Sequence, residues 1–391
     1  MRLILEALRD LRAHRGRTLL SAVSLFVAVI AVVGVSTVGS VVQDVFVANA
    51  EQQHGRAVTV ATRLPHPVVA RGLPAVLTAL DTNITRAGGS YLLMYQDNAQ
   101  VGAEGGAQPQ VVTLYSGTPG AVRRLPVLHG GWPAPDPQTY PGGLVLNQAA
   151  EAQYGGVGTE LSVQLGRAFP AYTQPVVGVI ADGVDAPVVY QSLLGALTLQ
   201  PGVLPADWSP ELHVHADGAG ESVLRSAVLA AAADLGAPPT GLDVRRADTV
   251  GGLLASLRST RSGFLAVAAL TLLVAVVGLL NIGFATVRDR TRELTLRRAT
   301  GATRGHVFLL VLLASVLVGL LTALAAVLLA LGAVDLVVPH LLARGSAVRA
   351  PAFPAEAALV GLAAALAAAL AGGAAPALAA ARVDMAQALR D

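Results

Sequence analysis

The sequence predicts an α-helical membrane protein of four transmembrane helices, with an α+β extracytoplasmic domain inserted between helices 1 and 2. Three observations carry that prediction. Residues 18–42, 262–287, 307–334 and 357–381 are free of charge, and each run exceeds the roughly 20 residues a helix needs to cross about 30 Å of hydrocarbon. Residues 43–261 contain no such run, and there Pro, Gly and Asp return. Finally, residues 1–17, 288–306 and 382–391 hold thirteen of the 27 basic residues, which marks one side of the membrane as cytoplasmic.

Composition agrees with this class. The chain has 391 residues, is 53% hydrophobic and has a mean hydropathy of +0.59, values far from those of an ordinary soluble domain. Every basic residue is arginine. Without lysine these residues contain no Walker A loop, whose Lys must reach the β/γ-phosphates. Without cysteine they form no disulfide, thiolate nucleophile or Cys-ligated metal site. The net charge is only +2, and the arginines sit beside apolar spans rather than along a nucleic-acid face, so no nucleic-acid partner is expected.

Residues 1–17 read as a cytoplasmic amphipathic helix. Ile4, Ala7, Leu8 and Leu11 share one face and Arg2, Glu6 and Arg9 the other, as in a helix lying among lipid headgroups. Transmembrane helix 1 follows at 18–42. It is longer than the 7–15 apolar residues of a cleaved signal peptide, so an uncleaved span is expected. Within 43–261, strand–helix–strand patterns fall at 57–96 and again at 211–246, where the helix covers 221–235. Between them lies a β-rich insert, with loops and short strands over 102–142. Residues 249–260 are expected to form a helix entering the second span.

Transmembrane helix 2 is placed at 262–287, a polar corner at 288–306, helix 3 at 307–334 and a Pro-containing outer loop at 335–356. Helix 4, 357–381, is rich in alanine. Gly361, Ala365, Gly372 and Gly373 allow close helix approach, and Pro376 is expected to kink it. A polar tail, 382–391, ends the chain. With four spans both termini and the corner lie inside, and the large domain outside.

Few residues point to chemistry. His213, His215 and Asp217 alternate along a strand and have the types that ligate zinc; the expected reading is the solvent face of an amphipathic strand. The glycines at 155, 156 and 158 precede a strand instead of opening a helix, so they make a turn and no phosphate loop. No catalytic residue, metal site or cofactor site is expected in this chain. Asn281, the polar residue in the middle of helix 2, is expected to hydrogen-bond to a neighbouring helix.

The corner is the strongest candidate site. Glu293 and Arg297 form an i,i+4 pair on a helix expected to continue unbroken from the second span. Gly301 suits the C′ position that ends it, and Thr303 suits the N-cap of the third span. The segment VGLLNIGFATVRDRTRELTLRRATGATRGHVF resembles the signature of the FtsX-like permeases, the MacB-type ABC transporter permease family. The matching residues are Arg290, Glu293, Arg297, Arg298, Ala299, Gly301, Ala302 and Thr303. The opening EALRDLRAHRGRTLLSAVSLFVAV and the tail AAARVDMAQALRD resemble the family's ends, with Met385 where proline is usual, and 143–190 resembles its extracytoplasmic core.

The resemblance implies a non-catalytic permease subunit. ATP and Mg would be bound by a separate P-loop ATPase, docked on Arg290, Glu293, Arg297, Arg298, Gly301, Ala302 and Thr303. It implies a second permease copy or homologue in the bilayer, export or force transmission at the outer face, and a place for a periplasmic or extracellular partner. Two alternatives stay open: an FtsX-type regulator of a cell-wall hydrolase, and a membrane sensor working without an ATPase.

Overall fold

The computed structural model describes residues 15–103, 106–133, 142–205, 207–238, 241–342, 346–348 and 351–383. The amphipathic segment expected ahead of residue 15, and the tail after 383 with Met385, lie outside the described residues. The chain forms two compact units, one of residues 44–254 with 342–349, the other of residues 1–43, 255–341 and 350–391.

Helix α1 (Arg15–His54) is 40 residues long and does not stop at the end of the apolar run. No Gly or Pro follows Gly39 until Gly55, so the polar residues 43–54 continue the helix. Its last turns belong to the inserted unit, where buried Gln52 donates from Nε2 to the Ala181 carbonyl at 2.7 Å.

The inserted unit contains, in order, β1 (Val60–Arg63), α2 (Leu73–Leu80), β2 (Ser90–Gly102), β3 (Gln108–Gly117), α3 (Pro119–Val122), β4 (Val127–Gly130), β5 (Leu144–Asn147), α4 (Gln148–Tyr154), β6 (Glu160–Leu165), β7 (Tyr172–Ile180), β8 (Val188–Ser192), α5 (Leu193–Leu199), β9 (Glu211–His215), α6 (Glu221–Asp234) and β10 (Arg245–Arg246). β9 lies between β1 and β2 and runs antiparallel to both, while β1 separates β9 from β10. The two strand–helix–strand segments are therefore interleaved split β-α-β units. Helix α2 buries Leu73, Val76, Ala79 and Leu80, and α6 buries Leu224, Ala227, Val228, Ala231 and Ala232. These are the spacings of one helical face, and full burial of each Leu or Val stabilises by about 1.5–3 kcal/mol.

The residues between these units close on themselves. β2 pairs with β3, β3 with β8, β8 with β5, β5 with β7, β7 with β6, and β6 returns to the far end of β2. Such a circuit leaves no free edge among its members. Leu144, Leu146, Leu161, Val163 and Leu165 are fully buried within it. Part of the stretch expected as loops and short strands is a ten-residue strand, β3, whose Pro109 sits at its start, where a missing N–H is tolerated. The strand expected up to Arg246 is reduced to a two-residue pairing.

The other unit holds α7 (Val250–Asp289) from Ala255 onward, α8 (Thr291–Ala299), α9 (Arg304–Leu336) and α10 (Ala355–Ala381). Among the described residues four helices, α1, α7, α9 and α10, are long and apolar enough to cross a membrane, which makes this a multi-pass membrane protein. The alanine-rich α10 touches the other three. A Cβ added to Gly361 would collide with Val33 of α1, one on Gly372 would meet Leu279 of α7 at 2.7 Å, and one on Gly319 of α9 would meet Ala369 at 2.8 Å. Small residues thus bring backbones together where lipid supplies no hydrophobic drive. Leu25, Val29 and Val33 of α1 join Ala323, Ala326, Ala365 and Ala368 in the resulting core.

Asn281 departs from expectation. It is exposed and forms no hydrogen bond within the described residues, so it does not tie α7 to a neighbouring helix of its own chain. It lies in a helical stripe with exposed Leu270, Val274, Val277 and Phe284.

Candidate functional site

The corner between α7 and α9 is built from three local devices. The first is a break. Arg290 has φ −101° and ψ 10°, so α8 is a separate helix and not the continuation of the second span. Thr291 sits at the break and its hydroxyl donates to the carbonyls of Val287 at 3.2 Å and Arg288 at 2.8 Å, the back-bonding by which threonine bends helices. The second is a Schellman end, with Ala302 N donating to Arg297 O at 3.0 Å and Gly301 N to Arg298 O at 3.1 Å, Gly301 standing at φ 104°. The third is the cap, in which Thr303 Oγ1 accepts from His306 N at 3.2 Å. Leu294 of α8 is buried with Val287, Val307 and Ala380, and Ala302 packs on the same cluster.

These devices sort the corner's side chains. Arg297 Nη2 donates to Glu293 Oε1 at 2.7 Å, and both line a cavity of about 110 Å³ with Arg290, Leu310, Ser315 and Pro376. Arg298 donates from Nη1 to the main-chain carbonyl of Val383, beyond the end of α10. Of the seven residues singled out from the sequence, Gly301 and Thr303 are exposed, while Arg290, Glu293, Ala302, Arg297 and Arg298 are half-buried. The exposed residues of α8 are Arg292, Leu296 and Ala299, and Leu296 is 64% exposed. The signal for Leu296 was present in the sequence: Leu294 and Leu296 are two apart and cannot face the same side of a helix.

Comparison with known proteins bears on this unit. Residues 265–385 match the sequence model described as FtsX-like permease C-terminal. Residues 265–385 are an FtsX-like permease domain. The pyoverdine export ATP-binding/permease protein PvdT of Pseudomonas savastanoi pv. phaseolicola is 44% identical over 66 residues, 17% of this chain and 10% of that protein. The macrolide export ATP-binding/permease protein MacB of Hyphomonas neptunium is 37% identical over 89 residues, 22% of this chain and 14% of that protein. The matched part is thus a small share of these relatives' own length. Among solved structures, the extracellular domain of the noncanonic ABC-type transporter YknZ from Gram-positive bacteria aligns with a TM-score of 0.35 and 13% identity, covering 48% of this chain and 99% of that one.

The FtsX-like domain holds the candidate corner, and the inserted unit holds the remaining sequence candidates. His213 and His215 are buried, 3% and 6% exposed, which corrects their placement on a solvent face. β9 is an interior strand between β1 and β2, contacts both α6 and α3, and buries Leu212, His213, Val214 and His215 alike, so its alternation does not separate core from solvent. His215 Nε2 lies 3.1 Å from Asp217 Oδ1 and His213 Nε2 lies 3.3 Å from Glu211 Oε1. Among the described residues no group of three such side chains is placed to hold a metal ion. Burial is the main cause lowering the His213 pKa, and the hydrogen bond from His213 is the main cause lowering that of Glu211. Gly155 ends α4 at φ 100° and leads through a turn into β6.

Proposed function

We propose that this chain is the permease subunit of a MacB-type ABC transporter. In this reading a P-loop ATPase, carried by another polypeptide, docks under α8 on the cytoplasmic side, and its cycle drives export or force transmission at the outer face. ATP and Mg belong to that partner. The termini share the corner's side because arginines crowd all three segments, and the inserted unit then lies outside. A second copy or homologue would cover the stripe around Asn281, giving its amide a partner that lipid does not supply.

The observation that carries the reading is Leu296. It is a large apolar side chain left 64% exposed on a short helix, inside the segment that matches the FtsX-like permeases. Desolvated apolar anchors ringed by polar groups carry most of the energy in protein interfaces, and Arg292 lies one turn away on the same face. Glu293, Arg297 and Arg298 then act by holding α8 in place. MacB, by its name a macrolide exporter, favours export over regulation of a cell-wall hydrolase as the outcome.

The test is hydrolysis by a P-loop ATPase encoded beside this chain, purified with it and measured in lipid nanodiscs. Leu296→Asp should reduce chain-dependent ATP hydrolysis about tenfold or more, the loss expected of an interface anchor, with the protein still in the membrane. Stimulation equal to that by the unaltered chain would remove α8 as the docking surface. Absence of any stimulation by the unaltered chain would favour the ATPase-independent sensor.

A further inference from the structure

The inserted unit carries a polar cavity that none of the roles above uses. β1 and β9 stop at Arg63 and Glu211, which pair with each other, and Glu211 pairs with Met94 of β2. β2 and β3 run on past this point. The step leaves a cavity of about 420 Å³, within the range of small-molecule sites. Strand alternation aims one set of side chains at it. Gln96, Thr113 and Tyr190 are aligned across β2, β3 and β8, one row beyond Glu211.

Two donors in this cavity lack a partner among the described residues, Nε of Arg123 and Oγ1 of Thr113. Thr113 is 2% exposed. A buried donor left unpaired costs about 1–3 kcal/mol, and more when charged, so both are accounted for by an acceptor that enters from outside. The Tyr190 hydroxyl donates to Asp182 Oδ2 at 2.8 Å and is hydrogen-bonded to neither donor. The Arg123 Nε is itself buried, and burial pulls the Arg123 pKa down, opposed by Tyr190, Glu211 and Asp182. At the rim stand Glu211, 40% exposed, and exposed Asp207. Trp208 closes one end, edge-on to Tyr95 at 5.9 Å between ring centres.

We propose that this cavity binds a small zwitterion of the amino-acid or dipeptide class. Its carboxylate accepts from Arg123 Nε and Thr113 Oγ1, its ammonium faces Glu211 and Asp207, and an apolar side chain lies against Trp208. The charges select this class. A polyphosphate would meet the two rim carboxylates, and a plain cation would meet Arg63 and Arg123.

Calorimetric titration of the full chain in detergent tests the assignment without any ATPase. The probes are alanylphenylalanine, its C-terminal amide and its N-acetyl derivative. The free dipeptide should bind saturably, and each blocked form about tenfold or more weaker, as expected when a charged hydrogen-bonding group is lost. Thr113→Val should weaken the free dipeptide and leave the amide unchanged. Glu211→Gln, at a more exposed position, should weaken the free dipeptide and leave the N-acetyl form unchanged, and it serves if Thr113→Val does not fold. No saturable binding at millimolar dipeptide overturns the proposal. So does equal binding of the three probes, or full affinity in both variants.

Discussion

Pro376 of the fourth span lies against the bare backbone of Gly283 in the second, where an added Cβ would stand 2.5 Å from the proline Cγ. A proline ring cannot swing aside as a flexible side chain would. The contact joins α7 to α10 directly above the corner's small core of Val287, Leu294, Val307 and Ala380. Gly283→Val should therefore overpack this crossing at a cost of about 1–3 kcal/mol. Gly278→Val is the control, because nothing lies within 4 Å of its Cβ. Thermal loss of the monodisperse peak in detergent should come several degrees earlier for Gly283→Val alone; coincident curves for the two variants would contradict the packing.

The inserted unit has its own keystone in Asn147, which is fully buried. Its Nδ2 donates to both Asp182 oxygens at 3.2 Å and to the Ala186 carbonyl at 2.8 Å. Its Oδ1 accepts from Ala150 N at 2.9 Å and from Val188 N at 3.0 Å. One side chain thus caps α4 and fixes the approach to β8. Asn147→Asp replaces the donor with a second carboxylate facing Asp182. It should cost about 3 kcal/mol or more at neutral pH, and more than Asn147→Ala, which leaves two N–H groups unpaired but buries no charge. Protease resistance of the inserted unit in the intact chain should fall in that order, and a milder Asp than Ala variant would refute it.

These two positions show what could be read ahead of the structure. The spans were legible because hydrocarbon demands long uncharged runs, and the strand–helix–strand segments because α2 and α6 each bury one regular face. Gly301 and Thr303 were legible as helix punctuation. Three things were not. The partner of Asn147 is 35 residues away, so its cap was readable and its bond to Asp182 was not. The break at Arg290 depends on a threonine hydroxyl competing for carbonyls, which periodicity does not register. His213 and His215 alternate as a half-exposed strand would, yet both are buried, and β9 contacts α3 (Pro119–Val122), a segment nearly ninety residues earlier in the chain.

At the corner, backbone geometry and space can be separated. Nothing lies within 4 Å of a Cβ on either Gly301 or Gly305, but only Gly301 has a positive φ, 104°. Gly301→Ala should destabilise the detergent-solubilised chain by about 1 kcal/mol through strain alone. Gly305→Ala, in the first turn of α9, should be neutral or stabilising by up to about 1 kcal/mol. Melting shifts in the same direction for both would show that the Schellman end does not hold the corner.

Acid should loosen the inserted unit through His213. Burial, aided by Arg123 and Arg245 and opposed by Glu211, keeps its pKa below the usual histidine value. The unfolded chain, with a histidine pKa of about 6.5, then takes up a proton at a pH where the folded chain does not. Stability therefore falls as pH drops through that value and levels off once the folded histidine is also protonated. Glu211, its pKa lowered chiefly by the hydrogen bond to His213, acts in the same sense further into acid, losing its contribution as pH falls through its folded value. One such proton gives a slope of at most about 1.4 kcal/mol per pH unit. His213→Gln removes the ring that titrates, so its melting temperature should change less than that of the unaltered chain between about pH 7.5 and about pH 5.5, roughly one unit either side of the midpoint expected for unfolded histidine. Parallel pH profiles for the two proteins would mean that His213 is not the group that senses acid.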